Sequence, residues 1–261
     1  MTSFTATAPL EARVRFHGGT IDVEPATGDQ ATATVVALDP ADSRSAEAAA
    51  SARVDCSGGR LVIDVPGKGA WRGRGVRVAV RLSLPPLSSL TSESGQVELR
   101  SSAALAALVV RTGSGTVDAA DVRDSVDVKS GNGTVTLGGG PKRVSFSTGN
   151  GTLTVDAADE VLFRTGKGKV VLGRTSGSVY VKGGNVGLEL AAASGGEVLF
   201  HTGSGSAHVG VTEGTTVQLD LESGHGDVRC DLPMDHTAPD GGTDLKVRLR
   251  TGSGDLVVAR A

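Results

Sequence analysis

The chain has 261 residues, a net charge of −3, 3% aromatic residues and 38 glycines, about twice the usual glycine share of ~7%. It is too apolar and too weakly charged for a disordered chain, glycine does not recur every third residue as in collagen, and no run approaches the ~18 apolar residues of a membrane span. The near-neutral charge balance argues against a dedicated DNA-binding domain.

The N-terminus, MTSFTATAPLEARVRF, lacks a positive stretch followed by an apolar one. No secretory signal is expected, which makes the cytoplasm the expected location. Strand-like stretches follow at 11–16, 20–24, 31–38, 53–56, 60–65 and 76–84. Ser57-Gly58-Gly59 reads as a hairpin turn. The alanine-rich stretch 41–52 fits a short helix or a loop. Between two strands, GKGAWRGRG at 67–75 gathers basic side chains around the sole tryptophan. Trp71, Arg72 and Arg74 are therefore candidates for a polyanion or partner contact, with a plain hairpin loop as the rival.

Beyond residue 91 one phrase keeps returning: TGSGTV at 112–117, SGNGTV at 130–135, TGNGTL at 148–153, TGKGKV at 165–170, TGSGSA at 202–207, SGHGDV at 223–228 and TGSGDL at 251–256. With the partial copies at 93–99 and 183–188, the leading glycines step by 18, 18, 18, 17, 18, 19, 21 and 28. Apolar columns sit four and six residues after each leading glycine and three and five before it. Alternation with period 2 is the strand signature. One such unit cannot bury its own apolar face, but stacked units make the columns continuous.

The expected fold is all-β: a single-stranded parallel β-solenoid of about 18 residues per coil. Residues 1–90 form a β-rich N-terminal cap and residues 91–261 the repeats. Glycine suits a tight corner that needs positive φ and leaves no room for Cβ atoms; Asn132, Asn150 and Asn185 fit because asparagine tolerates the left-handed region. The column Thr112, Ser130, Thr148, Thr165, Thr202, Ser223 and Thr251 reads as a hydroxyl ladder bonding a neighbouring turn. The last strand, Asp255–Ala259, is expected to leave an open edge suited to self-association.

Leu82-Ser83-Leu84-Pro85, followed by the glycine pairs, resembles a bacterial β-strand-repeat family of unknown function usually labelled "putative adhesin". Its hallmarks are a Leu/Val-x-Val/Leu-Pro phrase before the first coil and recurring Thr-Gly-Ser-Gly-Asp-Val motifs. The resemblance covers roughly residues 10–261 and implies a right-handed β-helix-like fold.

Candidate chemistry is sparse. Cys56 and Cys230 read as two free thiols, with a long-range disulfide as the rival. His201, His208 and His225 fall in different columns and do not form a metal set. Asp227 and Asp255 follow Gly-x-Gly without the unit length of a calcium nonapeptide. Asp118, Asp156, Asp159 and Glu160 make a weak case for a carboxylate cluster. No catalytic, metal or cofactor residues are assigned, and an enzyme is not expected. The outward column two residues before each leading glycine is more informative: Arg111, Lys129, Ser147, Arg164, Lys182, His201, Glu222 and Arg250. It reads as a basic stripe able to track a polyanion, or as a solvated face. The expected function is a non-enzymatic scaffold for a protein partner or for itself. The alternative is an adhesin-like polyanion or envelope binder using Arg111, Lys129, Arg164, Lys182 and Arg250.

Overall fold

Glycine-rich turns and alternating apolar residues dictate most of the elements. A computed structural model describes residues 2–6, 8–66, 75–233 and 244–261. These divide into two compact units, Met1–Gly138 and Gly139–Ala261. Trp71, Arg72 and Arg74 lie outside the described residues.

The first unit contains β1 (Thr2–Thr5), β2 (Glu11–Arg15), β3 (Gly18–Pro25), β4 (Gln30–Ala37), α1 (Ser43–Ala50), β5 (Arg53–Ser57), β6 (Arg60–Asp64), β7 (Val78–Leu84) and the long bent β8 (Ser88–Leu137). Gly58 and Gly59 adopt φ of 56° and 77°, the paired positive values that a two-residue hairpin demands. They fold β5 antiparallel onto β6, with Ser57 opposite Arg60. Parallel pairing places β2 between β6 and β8, and β3 between β7 and β8. Antiparallel pairing then adds β4 to β7 and β1 to β4. The alanine-rich stretch is helical: Asp42 caps α1 by accepting from the Arg44 backbone N–H, and buried Ser45 donates to the Asp42 carboxylate. Within β8 the leading glycines stack, so a Cβ on Gly131 would lie 2.7 Å from the Gly113 carbonyl oxygen.

The second unit contains β9 (Arg143–Ala158), β10 (Glu160–Thr175), β11 (Val179–Ala193), β12 (Gly196–Ser204), β13 (Ala207–Val211), β14 (Val217–Ser223), β15 (Val228–Cys230), β16 (Leu245–Ser253) and β17 (Leu256–Arg260). All its ladders are parallel. Val144 pairs with Val161, Val161 with Val179, and Val179 with Val198. Inward side chains from successive strands thus form buried columns. Phe146, Phe163 and Phe200 are fully buried, and the Phe146 and Phe163 rings meet at 5.5 Å with a 53° tilt.

The order at the far end departs from chain order. β12 pairs with β16, and β16 with β14; likewise β13 pairs with β17, and β17 with β15. The last coil in sequence is therefore inserted between its two predecessors. Charge and burial both favour this order. Arg248 reaches Glu197 on β12 at 3.5 Å, while Arg250 reaches Asp220 and Glu222 on β14 at 3.3 and 3.6 Å. The inserted coil also carries the more apolar inward set: Leu245, Val247, Leu249, Leu256 and Val258 have no exposed surface, whereas Leu219 and Leu221 on β14 are only half-buried. The expected open edge at the final strand is thus corrected. Among the described strands of the last three coils, β14 and β15 are the ones paired on one side only, and Val228 there is 49% exposed.

The corners refine two further expectations. A leading glycine is needed chiefly for closeness: a Cβ on Gly166 would sit 2.8 Å from the Gly149 carbonyl oxygen of the coil beneath. Asn132, Asn150 and Asn185 do not use the left-handed region; among the described residues only Leu87 does so without being glycine. The hydroxyl ladder exists, but most of its members first close their own turn. Thr165 Oγ1 donates to the Lys167 carbonyl at 2.9 Å, and its distance to Gly149 of the next coil is 3.3 Å. Thr202 repeats this with Ser204 at 2.8 Å and Gly184 at 3.2 Å.

Candidate binding face

Outward residues on stacked parallel strands lie one strand spacing apart, about 4.8 Å. In the second unit this brings Arg164 opposite Lys182, Lys182 opposite His201, and His201 opposite Arg250. Arg164, Lys182 and His201 are exposed, and among the described residues none makes an ion pair or a side-chain hydrogen bond. Like charges directly opposite one another destabilise a sheet. Elsewhere in this unit cations are matched to acids: Arg143 to Glu160 at 2.8 Å, Lys169 to Glu189 at 2.8 Å, and Arg250 to Asp220. Lys167, Arg174 and Lys246 are likewise outside these pairs, but none of them lies directly opposite another cation, so what sets the ladder apart is the stacking of Arg164 on Lys182.

Two residues upstream on the same face runs a second ladder. Leu162 pairs with Tyr180, and Tyr180 with Leu199. Both leucines are half-buried and Tyr180 is 38% exposed. The face thus carries a basic column beside an apolar one. Its far margin is closed by the Arg143–Glu160 and Arg248–Glu197 ion pairs.

The other basic residues singled out from the sequence have different surroundings. Arg111 in the first unit is held by Asp127 at 2.5 Å and by the Val110 and Asp127 carbonyls. Lys129 has no ion-pair partner among the described residues. Arg250 closes two ion pairs, so it carries little free charge. Of the expected stripe, the free cations of the second unit are Arg164 and Lys182, with His201 continuing them. Tyr180 was not among the residues singled out from the sequence. Its signal was present: Val179-Tyr180-Val181-Lys182 places Tyr180 in the same outward phase as Lys182.

The remaining candidates are separate from this face. Among the described residues, no group of three or more His, Cys, Asp or Glu is placed to hold a metal ion. His208 lies opposite Glu189 and Val257, away from the His201 column. Asp159 accepts from Ser176 at 2.7 Å, and Glu160 is engaged by Arg143. Cys56 and Cys230 are free thiols, both half-buried, and burial pushes the Cys56 thiol up from its ordinary value. No described helix is long and apolar enough to cross a membrane.

The chain is similar to solved structures at low identity. One described as a "putative adhesin" from Parabacteroides distasonis ATCC 8503 is 15% identical, with 98% of this chain and 96% of that chain covered, at a TM-score of 0.44. Another "putative adhesin", from Bacteroides fragilis NCTC 9343, is 10% identical over 98% and 95% of the two chains, with a TM-score of 0.40. A "putative lipid binding protein", also from Parabacteroides distasonis ATCC 8503, is 12% identical over 100% and 95%, with a TM-score of 0.42. No curated protein matches the chain. A family model does: residues 13–259 match it, and the chain belongs to the Toastrack DUF4097 family.

Proposed function

We propose that this chain is a non-enzymatic interaction scaffold whose second unit presents its outward face to an extended anionic partner. The scaffold in this proposal is a right-handed, single-stranded β-solenoid of about 18 residues per coil, with residues 1–90 as its cap. The observation that carries the function is the unpaired ladder Arg164–Lys182–His201. Arg164 directly opposite Lys182, with no described acid paired to either, costs stability, and their concentrated positive field attracts a polyanion. The test is heparin binding measured across salt concentration. Changing Arg164 and Lys182 together to Ser is expected to weaken binding at least about tenfold and flatten its salt dependence. Arg111→Ser, at an ion-paired site, is expected to change it little. Unchanged binding in the double variant would overturn the proposal.

A second reading, self-association, is supported by the β14–β15 edge, which no described strand covers, and by its exposed Val228. It requires the mass measured by light scattering to rise with protein concentration. A constant monomer mass to high concentration would exclude it.

A further inference from the structure

The same face carries more than charge, and its second ladder narrows the partner's chemistry. We propose that the face binds an acidic polysaccharide, with one carboxylated sugar over each strand. This rests on the anionic-partner reading above and names its substrate class.

The argument is geometric. Arg164, Lys182 and His201 repeat once per strand, about 4.8 Å apart, along a line that crosses the strands. A 1,4-linked pyranose chain advances by nearly one strand spacing per sugar, so successive sugars of a polyuronate stay in step with the rungs, and those whose carboxylates turn toward the sheet meet a cation. The parallel ladder Leu162–Tyr180–Leu199 lies two residues away along each strand, about 6.6 Å. That offset suits a sugar ring whose C–H face rests on the apolar rungs while its carboxylate reaches the cations. Tyr180 supplies a flat surface at the middle rung, directly upstream of Lys182.

The alternatives fit the face less well. Single-stranded nucleic acid is usually held on several aromatic platforms, and Tyr180 is the single aromatic rung of this ladder. A bilayer surface calls for apolar side chains that enter it by about 5–10 Å. Here Leu162 and Leu199 are half-buried. The face is also narrow, since Glu160 and Glu197 with their arginine partners bound its margin.

The experiment compares polygalacturonate, fully methyl-esterified polygalacturonate, polyphosphate, poly(dT) and phosphatidylglycerol vesicles as ligands for the full chain. The wild-type protein is expected to bind polygalacturonate and to bind the esterified polymer far less. Tyr180→Thr keeps a good strand former on an outward position. It is expected to weaken polygalacturonate binding about tenfold while leaving polyphosphate, a chain of charge without sugar faces, unaffected. Tyr180→Phe is expected to restore the wild-type affinity. Equal polygalacturonate affinity in wild type and Tyr180→Thr would overturn the assignment. So would tighter binding of poly(dT) or of the vesicles than of polygalacturonate. In either case the loss of heparin binding on changing Arg164 and Lys182 still stands or falls separately, so failure of the sugar assignment is distinguishable from failure of the charged ladder.

Discussion

Leu249→Ala is expected to destabilise the protein by about 3 kcal/mol, and Leu221→Ala by about 1 kcal/mol, in chemical denaturation. Both leucines hold the same place in their repeats, three residues before the leading glycine, and they pair with each other across β14 and β16. Their environments differ. Leu249 is fully buried, with Phe200 on one side and Leu221 on the other. Leu221 is half-buried and has a described neighbouring strand on one side alone. Truncating Leu249 opens a cavity between two coils, whereas truncating Leu221 removes surface that water already partly reaches. Had the coils stacked in chain order, β14 would lie inside and β16 at the end, and the two costs would be reversed. The ranking therefore tests the inserted order directly, and equal or inverted costs would sink it.

The columns that make the core were legible because each side chain's inward or outward phase follows from its distance to a leading glycine. Val161, Phe163, Val170 and Leu172 were assigned inward on that basis, and all four are buried. Neighbour order was not legible. An 18-residue register states which residues face inward, but not which coil lies beside which. The long final step of 28 residues, from Gly224 to Gly252, spans β15 and most of β16, and its length alone does not say that β16 lies between β12 and β14. The deciding terms are contacts between coils, such as Arg250 with Asp220 and Glu222, which no single repeat contains. The binding face was half legible for a related reason. The basic column followed from the register, but whether each cation was free depended on lateral neighbours. Arg111 is bound by Asp127 sixteen residues on, while Arg164 faces Ser147 and Lys182. Tyr180 gained meaning only once Leu162 and Leu199 were placed beside it.

Lys182→Glu is expected to raise stability and abolish polyanion binding at once. Lys182 stands between Arg164 and His201 with no acid in contact. A glutamate there would face a cation on at least one side and relieve the like-charge contact with Arg164. Cross-strand charge pairs contribute roughly 0.2–1 kcal/mol, so a gain of about 0.5–1 kcal/mol is expected. For a domain of this size that corresponds to roughly 1–4 °C in Tm. The gain should shrink in high salt, because exposed charges are screened. Binding moves the opposite way. The substitution removes the central cation and puts a repelling anion in its place, so affinity for heparin should fall further than with Lys182→Ser. A merely solvating lysine would give the stability gain without a binding loss, and a structurally paired one would give a stability loss. Higher thermal stability together with lost binding is the signature of a charge kept for a partner against the interest of the fold.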